Sequence, residues 1–111
     1  ISAGTWYHIV ITRSGNTINL YLDGNTTPYL SLNSSEVGSN TINNTEFKIG
    51  FGDQAAATRF FGGNLDEVGI WNTALTTTQV QSIYNATSTG KTADLSTISG
   101  SNLKYWNRLG D

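Results

Sequence analysis

The chain has 111 residues, a formal charge of −2 and 13% charged residues, with neither cysteine nor methionine. The missing cysteine excludes disulfides, thiolate zinc sites and thiol catalysis, and the slight acidity gives no cationic field for a nucleic-acid backbone. No apolar run approaches the roughly 20 residues that a membrane-spanning helix needs, so insertion into a bilayer is not expected. The chain opens on Ile1 and holds no Met, which leads us to expect further polypeptide upstream. Ser, Thr, Asn and Gly dominate while Lys and Glu are scarce. A surface of neutral hydrogen-bonding groups and β-branched Thr suits exposed strands better than helices, and secreted or virion-surface β-proteins often have it. The glycosylation sequons at Asn25, Asn33, Asn43 and Asn85 are what chance supplies in so Asn/Thr-rich a chain.

In chain order, residues 5–13 (TWYHIVITR) are β-branched and aromatic and predict a strand. Trp6, His8, Val10 and Thr12 share one face, and Tyr7, Ile9, Ile11 and Arg13 the other. Apolar residues on both faces predict a central strand. Ser14, Gly15 and Asn16 predict a turn into a partner strand at 17–23 (TINLYLD), where Ile18, Leu20 and Leu22 point one way and Thr17, Asn19, Tyr21 and Asp23 the other. Asp23-Gly24-Asn25 then predicts a second turn. Residues 26–32 predict a short strand that Pro28 relegates to a sheet edge, 33–45 a loop, 46–51 (EFKIGF) a strand and 60–72 another. The helix signals are strong at 76–85. Thr76 and Gln79 make a capping box, Leu75 and Val80 a hydrophobic staple, and Val80, Ile83 and Tyr84 one apolar stripe. Residues 86–101 predict a Ser/Thr/Gly-rich linker, and 102–111 (NLKYWNRLGD) regain an apolar pattern.

The succession carries more than any single motif. Trp-x-His-Ile-Val at 6–10 is followed by Asn-x-Tyr-Leu-Asp-Gly at 19–24 and Lys-Ile-Gly at 48–50. Phe-x-Gly-x-Leu-Asp-Glu-Val-x-Ile-Trp-Asn-x-Ala-Leu then occupies 61–75, and a helix ending in Ile-Tyr-Asn closes the set at 83–85. Over roughly residues 5–85 this resembles the C-terminal half of a laminin-G-like domain of the concanavalin A-like lectin/glucanase (pentraxin-type) superfamily. The resemblance implies an all-β jelly-roll sandwich of two antiparallel sheets, here partial, with one short surface helix near 76–85. The tail at 102–111 resembles the opening strand of another such domain. The expected organisation is therefore the end of one repeat at 1–86, a linker at 87–101 and the first strand of the next repeat at 102–111, with a simple C-terminal strand as the alternative.

Asp66 and Glu67 are consecutive, so a strand sends them to opposite faces. A retaining glycosidase needs two carboxyls about 5–5.5 Å apart, no Glu-x-Asp-x-x-Glu run exists here, and Glu36 and Glu46 fall near loops; catalysis is not expected. If Val68 and Ile70 face the core, Asp66 enters at its edge. An unpaired carboxylate there needs Arg59, Lys48 or a cation. The resemblance lends Asp66 the role of a structural calcium ligand, against the plainer role of a hydrogen-bonded Asp. His8, the single histidine, is expected in a core or groove, and no nucleophile-elbow pattern supports a triad. Trp6, Tyr21, Tyr29, Phe51 and Trp71 are the aromatics that could stack on sugar rings. Tyr21 and Trp71, each opposite a core-like face, are the candidate ligand contacts. The expected function is a non-catalytic carbohydrate- or glycoprotein-binding module of a larger extracellular, cell-surface or virion-surface protein. A structural spacer repeat is the alternative, and a glycoside hydrolase relative comes third. The partners expected are a glycan or glycoprotein and the other domains of the same polypeptide.

Overall fold

A computed structural model describes residues 1–39, 48–52, 59–87 and 93–109. Among them lie strands β1 (Ile9–Ser14), β2 (Thr17–Leu22), β3 (Leu30–Asn33), β4 (Phe51–Gly52), β5 (Arg59–Phe60), β6 (Val68–Trp71) and β7 (Leu103–Asn107), with helices α1 (Ser35–Ser39) and α2 (Thr77–Thr87). Single 3-10 turns form at Leu95–Thr97 and Gly100–Asn102. The described residues are mostly β, in small antiparallel sheets: β1-β2-β3, β4-β5 and β6-β7.

The β1–β2 hairpin forms as its turn residues dictate. Gly15 takes φ +55° between Ser14 and Thr17, which pair directly. At the far end Asp23 (φ 51°) and Gly24 (φ 67°) are both left-handed, and Asn25 N donates to Leu22 O at 3.0 Å. Two positive φ values in sequence suit the Asp-Gly pair. β3 is an edge strand, as Pro28 implies. β1, expected at the centre, is the other edge; β2 takes the middle. Apolar side chains on both faces of β1 do not require a central place in the strand order.

The sheet's two faces are unlike. Ile9, Ile11, Ile18, Leu20, Leu22, Leu30 and Leu32 share one face by register, yet Ile11 is 66% and Leu30 62% exposed. The other face holds a polar ladder. Asn33 Nδ2 donates to Thr17 Oγ1 at 3.2 Å, Ser31 Oγ to Asn19 Oδ1 at 2.7 Å, and Asn19 Nδ2 to the Tyr21 hydroxyl at 3.4 Å. At its Tyr21 end this second face packs into the core, a cluster of Tyr21, Leu75, Val80, Ile83, Ala93 and Leu95, flanked by Val10, Trp71, Leu103 and Trp106.

α2 binds this core together. Gln79 N donates to Thr76 Oγ1 at 3.2 Å and Thr76 N to Gln79 Oε1 at 2.9 Å, a reciprocal capping box. Leu75 and Val80, the staple pair, are 7% and 0% exposed. Each buried aliphatic side chain here contributes about 1.5–3 kcal/mol. The helix approaches the hairpin so closely that a Cβ on Gly24 would lie 2.6 Å from Tyr84.

Several expected elements are redrawn. The loop predicted over 33–45 begins with a single-turn helix, α1. Ser34 initiates it, accepting from Val37 N at 3.1 Å and, through Oγ, from Glu36 N at 3.3 Å. Of the strand predicted at 46–51, residues 46 and 47 lie outside the described residues and Phe51–Gly52 is β4. The long strand predicted over 60–72 is two short ones, because 61–67 carry Gly62, Gly63 and a left-handed Glu67 (φ 50°). Within the stretch read as a linker, Ala93 and Leu95 are 4% and 3% exposed. Their apolar burial holds 93–102 as packed turns. The tail strand β7 hydrogen-bonds to β6, with a bulge between Ile70 and Trp71.

Candidate functional site

Of the two carboxylates, Glu67 and not Asp66 is turned into the protein. Asp66 is exposed, and its Oδ1 accepts the Glu67 N–H at 3.0 Å. The Glu67 side chain is only 14% exposed; its Oε2 accepts Trp106 Nε1–H at 2.6 Å, and its Oε1 lies 3.4 Å from Arg108 Nε. Glu67 shares the face of Gly69 and Trp71, which packs on the core. The residues of β6 turned to the core are Gly69 and Trp71, paired with Trp106 and Leu103, and not Val68 and Ile70.

This placement removes burial as a reason for a partner at Asp66. An exposed carboxylate stays solvated, so neither Arg59 nor Lys48 is required. Among the described residues no group of three or more His, Cys, Asp or Glu side chains gathers.

Neither candidate aromatic stands on an open face. Tyr21 is 6% exposed and belongs to the core: the face opposite Ile18, Leu20 and Leu22 is the one that packs. Trp71 is half-buried. Its Nε1 donates to Ile98 O at 2.7 Å, and its ring lies over Gly69, where an added Cβ would meet it at 2.6 Å. Two other aromatics from the same set are open. Trp6 is 65% and Tyr29 68% exposed. Trp6 precedes β1 and Tyr29 precedes β3. Because both strands run antiparallel to β2, the two residues stand at the same end of the sheet. That end also carries the turn at 23–25, with exposed Asn25, Thr26 and Thr27.

His8 lies beside this end. Its backbone N–H donates to Asp23 Oδ1 at 2.9 Å, and its ring meets Tyr84 at 5.8 Å between centroids. Nδ1 is buried without a hydrogen-bond partner. Burial lowers the imidazole pKa below its usual 6.5, and the Asp23 charge offsets part of that shift.

A concavity of about 350 Å³ is lined by Ala93, Asp94, Ser96, Trp106 and Arg108. Asp94 Oδ1 accepts Ser96 N–H at 3.0 Å and Ser96 Oγ–H at 2.5 Å, and the Arg108 guanidinium lies 5.8 Å from the Trp106 ring centroid. Sequence reasoning did not single these residues out. The available signal was Trp106 and Arg108 two apart in a strand pattern, hence on one face.

Comparison with known proteins agrees with the folded arrangement. Residues 1–81 match the laminin-G-type model described as the concanavalin A-like lectin/glucanases superfamily. No curated protein matches the chain. Among solved structures, the chain is similar to an S-layer domain-containing protein (residues 221–444) from Clostridium thermocellum ATCC 27405. The TM-score is 0.64 at 21% identity, over 76% of this chain and 41% of that one. At that identity the likeness is one of fold, and this chain spans less than half the length of the protein it matches. With the family model covering most of its length, the chain belongs to the laminin-G-like family of the concanavalin A-like lectin/glucanase superfamily.

Proposed function

We propose that this chain is a non-catalytic carbohydrate- or glycoprotein-binding module of a larger secreted or surface protein. The observation that carries this reading is the pair Trp6 and Tyr29, exposed at one end of the β1-β2-β3 sheet beside the 23–25 turn. Open rings at one sheet end, next to exposed Asn25, Thr26 and Thr27, offer a surface that a ligand can cover. A flat apolar face with neutral hydrogen-bonding neighbours suits the C–H face and hydroxyl rim of a pyranose. Glu67, held by Trp106 and Arg108, stands apart in role from the exposed Asp66, which favours binding over hydrolysis.

The surface location follows from the family's lectin-like fold and the neutral, Thr/Asn-rich composition. A protein described as S-layer domain-containing has a similar fold. The bare apolar face of β1-β2-β3 supports the finer architecture, a jelly-roll sandwich in which a second sheet lies over Ile9, Ile11, Leu30 and Leu32. Calcium rests on the family resemblance alone; equal melting temperatures in calcium and in excess chelator remove it.

The test is a glycan and polysaccharide panel probed with the folded chain. Saturable binding that falls at least tenfold in Trp6→Ala or Tyr29→Ala supports the module, since alanine substitution of a stacked aromatic typically costs a few kcal/mol. A folded chain that binds nothing contradicts it. That outcome favours the structural spacer reading, for which the one specific observation is that Tyr21 and Trp71 are consumed by packing.

A further inference from the structure

We propose that the cleft between the 3-10 turn at Leu95–Thr97 and β7 is a second saccharide subsite that takes the ring of one neutral hexopyranose, an inference that rests on the carbohydrate-binding reading above. Its volume, about 350 Å³, lies near the lower end of the roughly 300–1,000 Å³ usual for small-molecule sites. That is room for one sugar ring and not for a long chain segment enclosed on all sides.

Trp106 is held by a residue outside the lining, and Asp94 by one within it. Trp106 Nε1–H is fixed by Glu67 Oε2 at 2.6 Å, and across the strand pair Trp106 faces Gly69, which has no side chain to displace it. The indole therefore has one orientation before any ligand arrives, which lowers the ordering cost of binding. Asp94 is similarly oriented. Its Oδ1 accepts both the N–H and the Oγ–H of Ser96, which leaves Oδ2 outside these bonds. Because the Ser96 hydroxyl donates to Asp94, its lone pairs are left to accept.

A pyranose matches this combination. Its axial C–H face lies against an indole ring, and its hydroxyls donate to a fixed carboxylate in charge-assisted bonds. The charges decide which sugars. The lining carries the Asp94 carboxylate and the Arg108 guanidinium, and the latter pairs at 3.4 Å with a second carboxylate outside the lining, that of Glu67. The local balance is negative, so uronate, sulfate and phosphate groups are repelled. A neutral hexose is the class that remains.

The test uses the whole 111-residue chain, titrated calorimetrically with soluble β-glucan, mannan and galactan, and with polygalacturonate as the anionic comparison. The expected result is saturable binding of at least one neutral polysaccharide. It should weaken about tenfold in Asp94→Asn, which keeps the Ser96 contacts but removes the charge, and several-fold in Ser96→Ala. Circular dichroism establishes that each variant is folded. Neutral-polysaccharide binding that is unchanged in both variants but lost in Tyr29→Ala overturns the subsite and leaves the module reading intact. No binding of any polysaccharide by a folded chain overturns both. Tighter binding of polygalacturonate than of the neutral polymers overturns the assignment of sugar class.

Discussion

At the scale of single residues, Glu67 shows how the choice of packed face redirects chemistry. It shares the face of Gly69 and Trp71, which packs on the core, so the second carboxylate of the pair enters the protein and the first stays in water. Truncating Glu67→Ala leaves the Trp106 indole N–H without its acceptor and should cost about 2 kcal/mol. Glu67→Gln keeps an acceptor for the indole and loses only the pairing with Arg108, whose side chain is 48% exposed; its cost should stay below about 1 kcal/mol. Asp66→Ala should be smaller still. Urea unfolding midpoints of the three variants check this order, and Asp66→Ala exceeding Glu67→Ala would reverse our placement of the two side chains.

His8 supplies a pH dependence. Its folded pKa lies below the ordinary 6.5 because burial disfavours the imidazolium. The unfolded chain therefore takes up the proton first. Stability associated with the neutral ring is fully present above pH 6.5 and is lost as pH falls through the lowered folded value. Melting temperatures measured across this range should decline on acidification in the parent chain. The decline should be shallower in His8→Gln, and an equal slope in both would place the pH dependence elsewhere.

At the scale of elements, α2 was legible because its signals are local. Thr76 and Gln79 are three apart, Leu75 and Val80 five, and the periodic apolar residues lie within one short window. The structure returns each in its expected role. Thr76→Ala should cost about 1 kcal/mol through the lost cap. Gly24→Ala should cost more, since it imposes a side chain at φ 67° and against Tyr84 at 2.6 Å. The hairpin was legible for the same reason. The face assignment of β2 and β6 was not. Alternation says which residues share a face, but whether Tyr21's face or Leu20's is the packed one depends on where α2 and residues 93–106 come to rest. Those contacts are separated by more than fifty residues and leave no periodic trace. For the same reason Tyr21 and Trp71 read as exposed platforms in the sequence, while Trp6 and Tyr29, from the same set of candidates, are open. Asp94, Ser96, Trp106 and Arg108 meet only because β7 pairs with β6.

At the scale of the whole molecule, an apolar face of Ile9, Ile11, Leu30 and Leu32, contiguous through the β1-β2-β3 register, is open to water. Faces of this kind drive association. We expect residues 1–111 alone to sediment as a concentration-dependent mixture and to melt broadly. Ile11→Lys together with Leu32→Lys should shift the mixture towards monomer without a large loss of helix or sheet signal. A sharp, concentration-independent melt of the parent chain would mean that this face needs no cover. The family fold explains the requirement: an antiparallel sheet with one apolar face is stable when a second layer lies upon it.

The central claim is that sugar meets this protein at the open aromatic end, and not at Tyr21 and Trp71, which packing consumes. The chain has three tryptophans, so three indole N–H resonances report on the two regions separately in a nitrogen-15 spectrum. The measurement is a titration with soluble β-glucan, mannan and galactan. The account predicts that the Trp6 resonance shifts with saturation while that of Trp71, held by Ile98 O at 2.7 Å, stays still. Saturation that moves Trp71 alone, or polysaccharide that moves no indole at all, would contradict it.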